Sequence, residues 1–103
     1  MTAFMNVEPT AVNLSAVTEM AISGEMEAST AAGAAALTAT TPMVPTSDDA
    51  TFTAALNSAG AGYMAASQAH VGQRTAYAGA QNLASLGYVI QELMSATNVN
   101  NII

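Results

Sequence analysis

The sequence predicts an all-α fold, an antiparallel hairpin of two long helices. Two of its three prolines, Pro42 and Pro45, stand three residues apart near the middle of the chain, where they end a helix. On both sides of them, small and apolar residues recur at alternating steps of three and four, which is the spacing of a helical seam. With 103 residues, the chain is expected to form one hairpin domain over residues 1–97 and a flexible tail over 98–103.

The first helix is predicted over about residues 7–38. Pro9 lies in its first turn, where the missing N–H costs no hydrogen bond, and Glu8 lies where the helix dipole favours a negative charge. The two central prolines follow a threonine-rich stretch and end the helix, so residues 39–46 form the connecting loop.

The second helix is predicted over about residues 47–95. Thr46 or Ser47 caps its first turn, and Thr46 with Asp49 has the spacing of a capping box. Asp48 and Asp49 place negative charge at the helix N-terminus, where the dipole favours it. No proline occurs in the second half of the chain, so nothing stops this helix early.

Small and apolar residues line one stripe of each predicted helix. In helix 2 the stripe holds Ala, Gly or Ser as far as Gly79 and becomes Leu and Ile from Leu83 onward, whereas in helix 1 the large residues come first. These size gradients match when the helices run antiparallel, so we expect the two stripes to contact each other. They consist of Leu14, Val17, Ala21, Gly24, Ala28, Ala31 and Ala35 in helix 1 and of Ala55, Ser58, Gly62, Ala65, Ala69, Gly72, Ala76, Gly79, Leu83, Leu86, Ile90 and Leu93 in helix 2.

Each helix is also apolar outside this stripe. Ile22 and Met26 lie on another side of helix 1, and Tyr63 and Tyr77 lie beside the small stripe of helix 2. A helix that is apolar on more than one side is usually buried on more than one side. We therefore expect the hairpin to bind a partner protein or to associate with itself. The expected interface residues are Val12, Ile22, Met26, Phe52, Leu56, Tyr63, Leu83 and Leu86.

The charge balance argues against several classes of function. Arg74 is the single Lys or Arg residue against seven acidic residues, which gives a formal net charge of −6. Nucleic-acid binding needs basic residues at the phosphates, so no nucleic-acid partner is expected, and an anionic membrane surface is disfavoured for the same reason. We expect Arg74 to form a surface or interface ion pair, and Glu19, Glu25 and Glu27 to be solvated charges.

No catalytic or metal-binding arrangement can be recognised in the sequence. The chain has no cysteine and a single histidine, His70, so thiolate chemistry and cysteine-type zinc sites are excluded. His70 is expected to be packed or at the rim of a contact, and Asp48 and Asp49 to be helix-start anions rather than an acid–base pair. We expect no enzymatic activity, no cofactor, no metal and no small-molecule substrate.

No conventional targeting segment is predicted. The first ten residues lack the basic region of a signal peptide, so no cleavable signal peptide is expected. The longest charge-free stretch, residues 50–73, contains too many polar residues for a membrane span.

The chain resembles, across nearly its whole length, the PE proteins of mycobacteria, which are helical hairpins with a proline-marked loop. The segment 43–49, MVPTSDD, is similar to the family's Val-Val-Pro segment and acidic helix start, and the run 28–37, ASTAAGAAAL, has the family's composition. The name-giving pair near position 9 stands in reverse order as Glu8-Pro9, so the chain is similar to a PE-like member.

The segment near the end is similar to an export signal of the same family. Tyr88 and Glu92 match the pattern Tyr-Xaa-Xaa-Xaa-Asp/Glu. The resemblance implies that the hairpin pairs with a PPE-type protein, which supplies a Trp-Xaa-Gly turn, to form a four-helix bundle. It also implies synthesis in the cytoplasm, contact with the type VII secretion chaperone and export machinery, and a final location outside the cell or in the cell envelope.

Two alternatives remain open at this level. Tyr88 and Glu92 also have the spacing of ordinary neighbours on a helix surface. The hairpin is alternatively a self-associating adaptor or structural protein that forms a homodimeric bundle and is not exported. Replacement of Tyr88 by alanine separates the two functions, because it stops export only in the first case.

Overall fold

The computed structural model describes residues 6–102, and this part of the chain contains two α-helices and no strand. Helix α1 spans Pro9–Thr38 and helix α2 spans Ser47–Ile102. The predicted all-α fold is confirmed. The described chain divides into two compact units, which we call the terminal unit (residues 6–21 and 74–102) and the loop unit (residues 22–73).

Helix α1 begins at Pro9, two residues after the predicted start. The carbonyl oxygen of Glu8 accepts hydrogen bonds from the N–H groups of Ala11 at 3.0 Å and Val12 at 3.1 Å, so Glu8 is the N-cap residue. Proline is favoured at the first helical position because its φ angle is already helical and its absent N–H has no partner there. The rigid ring of Pro9 therefore sets the boundary.

Helix α2 is capped by Thr46, as the sequence predicts. The Thr46 hydroxyl oxygen accepts a hydrogen bond from the Asp49 N–H at 3.2 Å, which satisfies one of the open donors of the first turn. The Asp49 carboxylate accepts a hydrogen bond from the Val44 N–H at 2.8 Å rather than closing the usual capping box on Thr46. Asp49 thus fastens the loop to the start of α2.

The C-terminal end of α2 lies beyond the prediction. The sequence-based estimate ended the helix near Ser95, whereas the structure continues it to Ile102. No proline or glycine follows Gly87, so the asparagines of this stretch weaken the helix without breaking it. The flexibility of residues 98–103 stays a prediction, and residue 103 lies outside the described chain.

Within each unit the two helical segments run antiparallel. In the terminal unit, the Ser85 hydroxyl donates to the Pro9 carbonyl oxygen at 2.9 Å, and the Arg74 guanidinium donates to the Glu19 carboxylate at 2.9 Å. In these hydrogen-bonded pairs, a higher residue number in α1 goes with a lower residue number in α2, as expected for antiparallel helices. The same unit holds the pairs Asn13–Asn82 and Ser15–Gln81.

The loop unit shows the same order with different partners. The hydroxyl groups of Thr30 and Ser67 are hydrogen-bonded at 2.8 Å. The side chain of Asn57 makes three hydrogen bonds to Thr40. Its amide oxygen accepts from the Thr40 N–H and from the Thr40 hydroxyl, and its amide nitrogen donates to the Thr40 carbonyl oxygen. A helical hairpin therefore describes each unit.

The residues that contact the opposite helix differ from those predicted. Less exposed positions still recur at steps of three and four, but they are largely polar or small. We call them the seam: Val12, Ala16, Glu19, Ser23, Met26, Thr30, Gly33 and Leu37 in α1, and Thr53, Asn57, Gly60, Met64, Ser67, Val71, Arg74, Ala78, Gln81 and Ser85 in α2. Among the described residues, Ala16 and Ala78 are the only buried apolar ones.

The predicted contact between the Leu14 and Leu83 stripes is therefore wrong. Every residue of those two stripes is exposed. The physical reason is that polar side chains on the facing sides pair across the contact at Glu19–Arg74 and Thr30–Ser67, which allows polar residues to occupy it. Glu19 is likewise half-buried beside Arg74 rather than solvated, with a side-chain exposure of 24%.

Candidate functional site

Large apolar side chains of the terminal unit point away from its seam. Leu83 is 72% exposed and Leu86 is 59% exposed on α2, and Leu14 and Val17 are exposed on α1. Taken together, Leu14 and Val17 face away from the seam residues Ala16 and Glu19 around the circumference of α1. Of the predicted interface residues, Leu83 and Leu86 are thus free to contact another molecule.

The loop unit carries a second set of exposed apolar residues. Phe52 is 62% exposed, Tyr63 is 61% exposed, and Leu56 is also exposed. All three belong to one stripe of α2 that flanks the seam. Patches of exposed aromatic and aliphatic residues on a small protein mark interaction sites.

Three predicted interface residues are partly used by the hairpin itself. Val12 and Met26 belong to the seam, and Ile22 lies at its edge, each with intermediate exposure. They contribute to the contact between the helices, which the sequence could not distinguish from contact with a partner. Their role in an external interface stays a prediction.

Tyr88 and Glu92 lie on the part of α2 that follows Ser85, the last seam residue. Both are exposed, Tyr88 at 37%, and so is every described residue from Leu86 to Ile102. The two side chains are one helical turn apart and share a face of α2. Ile90, Leu93 and Met94 add exposed apolar surface to the same segment. Ile90 and Leu93 could have been added to the predicted interface from the sequence, because they continue the stripe that contains Leu83.

Two grooves flank the Thr30–Ser67 contact in the loop unit. The larger, the Glu27 groove, has a volume of about 520 Å³, and the smaller, the Tyr63 groove, about 270 Å³. Glu27, Thr30, Ala31, Ala34, Met64, Ser67, Gln68, Val71 and Gly72 line the Glu27 groove. Ile22, Glu25, Met26, Ser29, Thr30, Tyr63 and Ser67 line the Tyr63 groove.

Titratable residues do not gather into a metal-ligand cluster. Within residues 6–102, no group of three or more His, Asp or Glu side chains is placed to hold a metal ion. His70 is exposed on α2, and Asp48 is exposed at the helix start. Neither helix of the described chain has a stretch apolar and long enough to cross a membrane.

Comparison with protein-family models, with curated proteins and with solved structures finds no match to this chain. The PE-like resemblance therefore rests on the residues quoted above.

Proposed function

We propose that this chain is a non-enzymatic type VII secretion substrate of the PE type. In this proposal it pairs with a PPE-type protein through its exposed apolar faces and carries Tyr88 and Glu92 as its export signal. The single observation that carries the proposal is the inverted placement of side chains. The helices contact each other largely through polar and small residues, while most of the large apolar residues are exposed.

The outward apolar residues favour a helical partner. Leu83, Leu86, Ile90 and Leu93 follow one another at steps of three and four, which is the spacing that a second helix packs against. Leu14 and Val17 add to the exposed apolar surface of the same unit. A PPE-type pair of helices laid along these residues would complete a four-helix bundle.

The position of Tyr88 and Glu92 supports a role in recognition. Both lie on α2 beyond Ser85, whose hydroxyl bonds to the first residue of α1, and both are exposed, Tyr88 at 37%. A helical segment that projects from a bundle offers its side chains to another protein without any rearrangement of the hairpin. The export machinery would read this face in the proposed function.

Co-expression with a neighbouring PPE-type protein tests the pairing. We expect a soluble one-to-one complex by size-exclusion chromatography with mass determination, and poor solubility of the chain when it is produced alone. A well-folded homodimer that ignores the PPE-type protein would contradict the proposal and favour the self-associating adaptor.

Export is tested separately in a strain with an active type VII system. Tyr88→Ala and Glu92→Gln should each abolish export while the complex still forms inside the cell. Tyr77→Ala is the matched control, because Tyr77 is an exposed tyrosine of the same helix with Gln81 rather than an acid four residues later. Equal export of the Tyr88 variant and the control would reject the signal.

A further inference from the structure

We propose that the Glu27 groove of the loop unit seats a helix of the partner protein, which inserts large apolar side chains into the groove and places a lysine or arginine beside Glu27. The inference rests on the proposed function, since the occupant is a helix of the PPE-type partner. It goes further, because it states which groove the partner helix occupies and that this helix carries a positive charge there.

The shape of the Glu27 groove fits inserted side chains. Its lining includes the small residues Ala31, Ala34 and Gly72, and a Cβ added at Gly72 would meet no atom within 4 Å. Small lining residues leave space that a Leu, Met or Phe side chain of a partner can fill, and such filled pockets carry most of the binding energy of an interface. The Glu27 groove is therefore a receptor for side chains.

The Tyr63 groove has the opposite character. It is about half as large, and its walls are the chain's own large side chains Ile22, Met26 and Tyr63. The smaller volume leaves less space for a partner's side chains than the Glu27 groove does. The two sides of the Thr30–Ser67 contact thus differ, and the Glu27 side is the one that can be filled.

Electrostatics determines the charge of the occupant. The loop unit contains four carboxylates and no lysine or arginine. Two of these, Asp48 and Asp49, lie at the start of α2, whereas the exposed Glu27 stands at the wall of the groove. An interface that covers Glu27 without a basic group would leave a desolvated, unpaired charge, which is costly. The partner helix must therefore bring a lysine or arginine to this position.

A second copy of this chain does not fit the groove. The chain has no lysine, and its single arginine, Arg74, is held by Glu19 in the terminal unit. A second copy has no further lysine or arginine for Glu27 and would bring a formal net charge of −6 against an acidic surface. A basic helix from a different protein satisfies both the space and the charge.

Glu27→Gln tests the charge in the co-expressed complex with the PPE-type protein. We expect the Kd to rise about fivefold at low ionic strength, and the dependence of the Kd on salt to become flatter than in the wild-type complex. Glu25→Gln is the matched control, because Glu25 is an exposed glutamate on the same helix that lines the Tyr63 groove instead. Equal effects of the two variants would mean that only net charge matters and would overturn the inference.

Ala31→Leu tests the space, because it adds a large side chain to the lining of the Glu27 groove at an exposed helix position. We expect the Kd to rise at least about tenfold through overpacking at the contact, with unchanged helix content of the complexed or isolated chain by circular dichroism. Ala32→Leu is the control, since Ala32 is exposed and lines neither groove. Wild-type affinity of the Ala31 variant would show that the groove is empty in the complex.

The two levels of inference fail in different ways. If the wild-type chain forms no complex with the PPE-type protein, the proposed function fails and the groove assignment falls with it. If the complex forms and neither Glu27→Gln nor Ala31→Leu weakens it beyond its control, the pairing stands and the groove assignment alone is rejected.

Discussion

Gly60 of α2 lies directly against the backbone of Leu37 of α1. A Cβ built at position 60 would lie 2.6 Å from the carbonyl carbon of Leu37 and 3.2 Å from its Cα, with the carbonyl oxygen closer still. The obstacle is backbone, which cannot rotate aside as a side chain can. At this point of the loop unit the two helices approach to a distance that only glycine permits.

Gly60→Ala is therefore expected to destabilise the hairpin by about 2–3 kcal/mol, because the helices must separate to admit the methyl group. Gly62→Ala is the control, since a Cβ at Gly62 would meet nothing within 4 Å and alanine is the better helix former by about 1 kcal/mol. Thermal unfolding by circular dichroism, on the co-purified complex if the chain is insoluble alone, measures both. A higher melting temperature for both variants would show that the close approach does not occur.

The Glu19–Arg74 pair should couple the two helices of the terminal unit. Glu19→Gln alone is expected to cost about 1–2 kcal/mol, because it weakens a charge-assisted hydrogen bond in a half-buried place. The double variant Glu19→Met with Arg74→Met should recover stability relative to either single Met variant, since no unpaired charge is left. A double-mutant cycle from urea unfolding gives the coupling, and strictly additive effects would argue against the pair.

Asn57 should hold the connecting loop in place. Its side chain makes three hydrogen bonds to Thr40, so Asn57→Ala is expected to cost about 2 kcal/mol and to speed proteolysis within residues 39–46. Asn13→Ala is the matched control, because Asn13 makes one exposed hydrogen bond, to Asn82. Limited proteolysis with mass spectrometry locates the cut, and equal cutting rates for the two variants would refute this role.

The exposed leucines of the terminal unit should matter for association and little for folding. Leu83→Gln with Leu86→Gln is expected to leave helix content unchanged, because both side chains already face solvent, while it weakens partner binding and improves solubility of the isolated chain. Met26→Gln provides the contrast, since it places an amide in the seam and should lower the melting temperature. Undiminished co-purification of the leucine double variant would exclude Leu83 and Leu86 from the interface.

The helices were predictable because their ends depend on local chemistry. Pro42 and Pro45 stop one helix, and the Thr46 hydroxyl with Asp49 starts the next, all of which is visible in a few consecutive residues. The end of α2 was placed too early, because asparagines resemble a stop although they only weaken a helix already formed.

The seam was not predictable from either helix taken alone. A search for apolar periodicity selects the Leu14 and Leu83 stripes, whereas the actual contact joins Glu19 to Arg74 and Thr30 to Ser67. Each of these residues looks like a surface residue until its complement on the other helix is known. Exposed apolar residues such as Leu83 could be identified because large apolar side chains stand out wherever they lie.

The outward placement of the large side chains has a thermodynamic consequence. The heat capacity of a protein rises when apolar surface is hydrated, and this surface is already largely hydrated in the hairpin. Unfolding the isolated chain should therefore change the heat capacity little, while association with a partner that covers Leu83, Leu86 and Phe52 should lower it strongly. For this chain, most of the hydrophobic driving force is available for assembly rather than for folding.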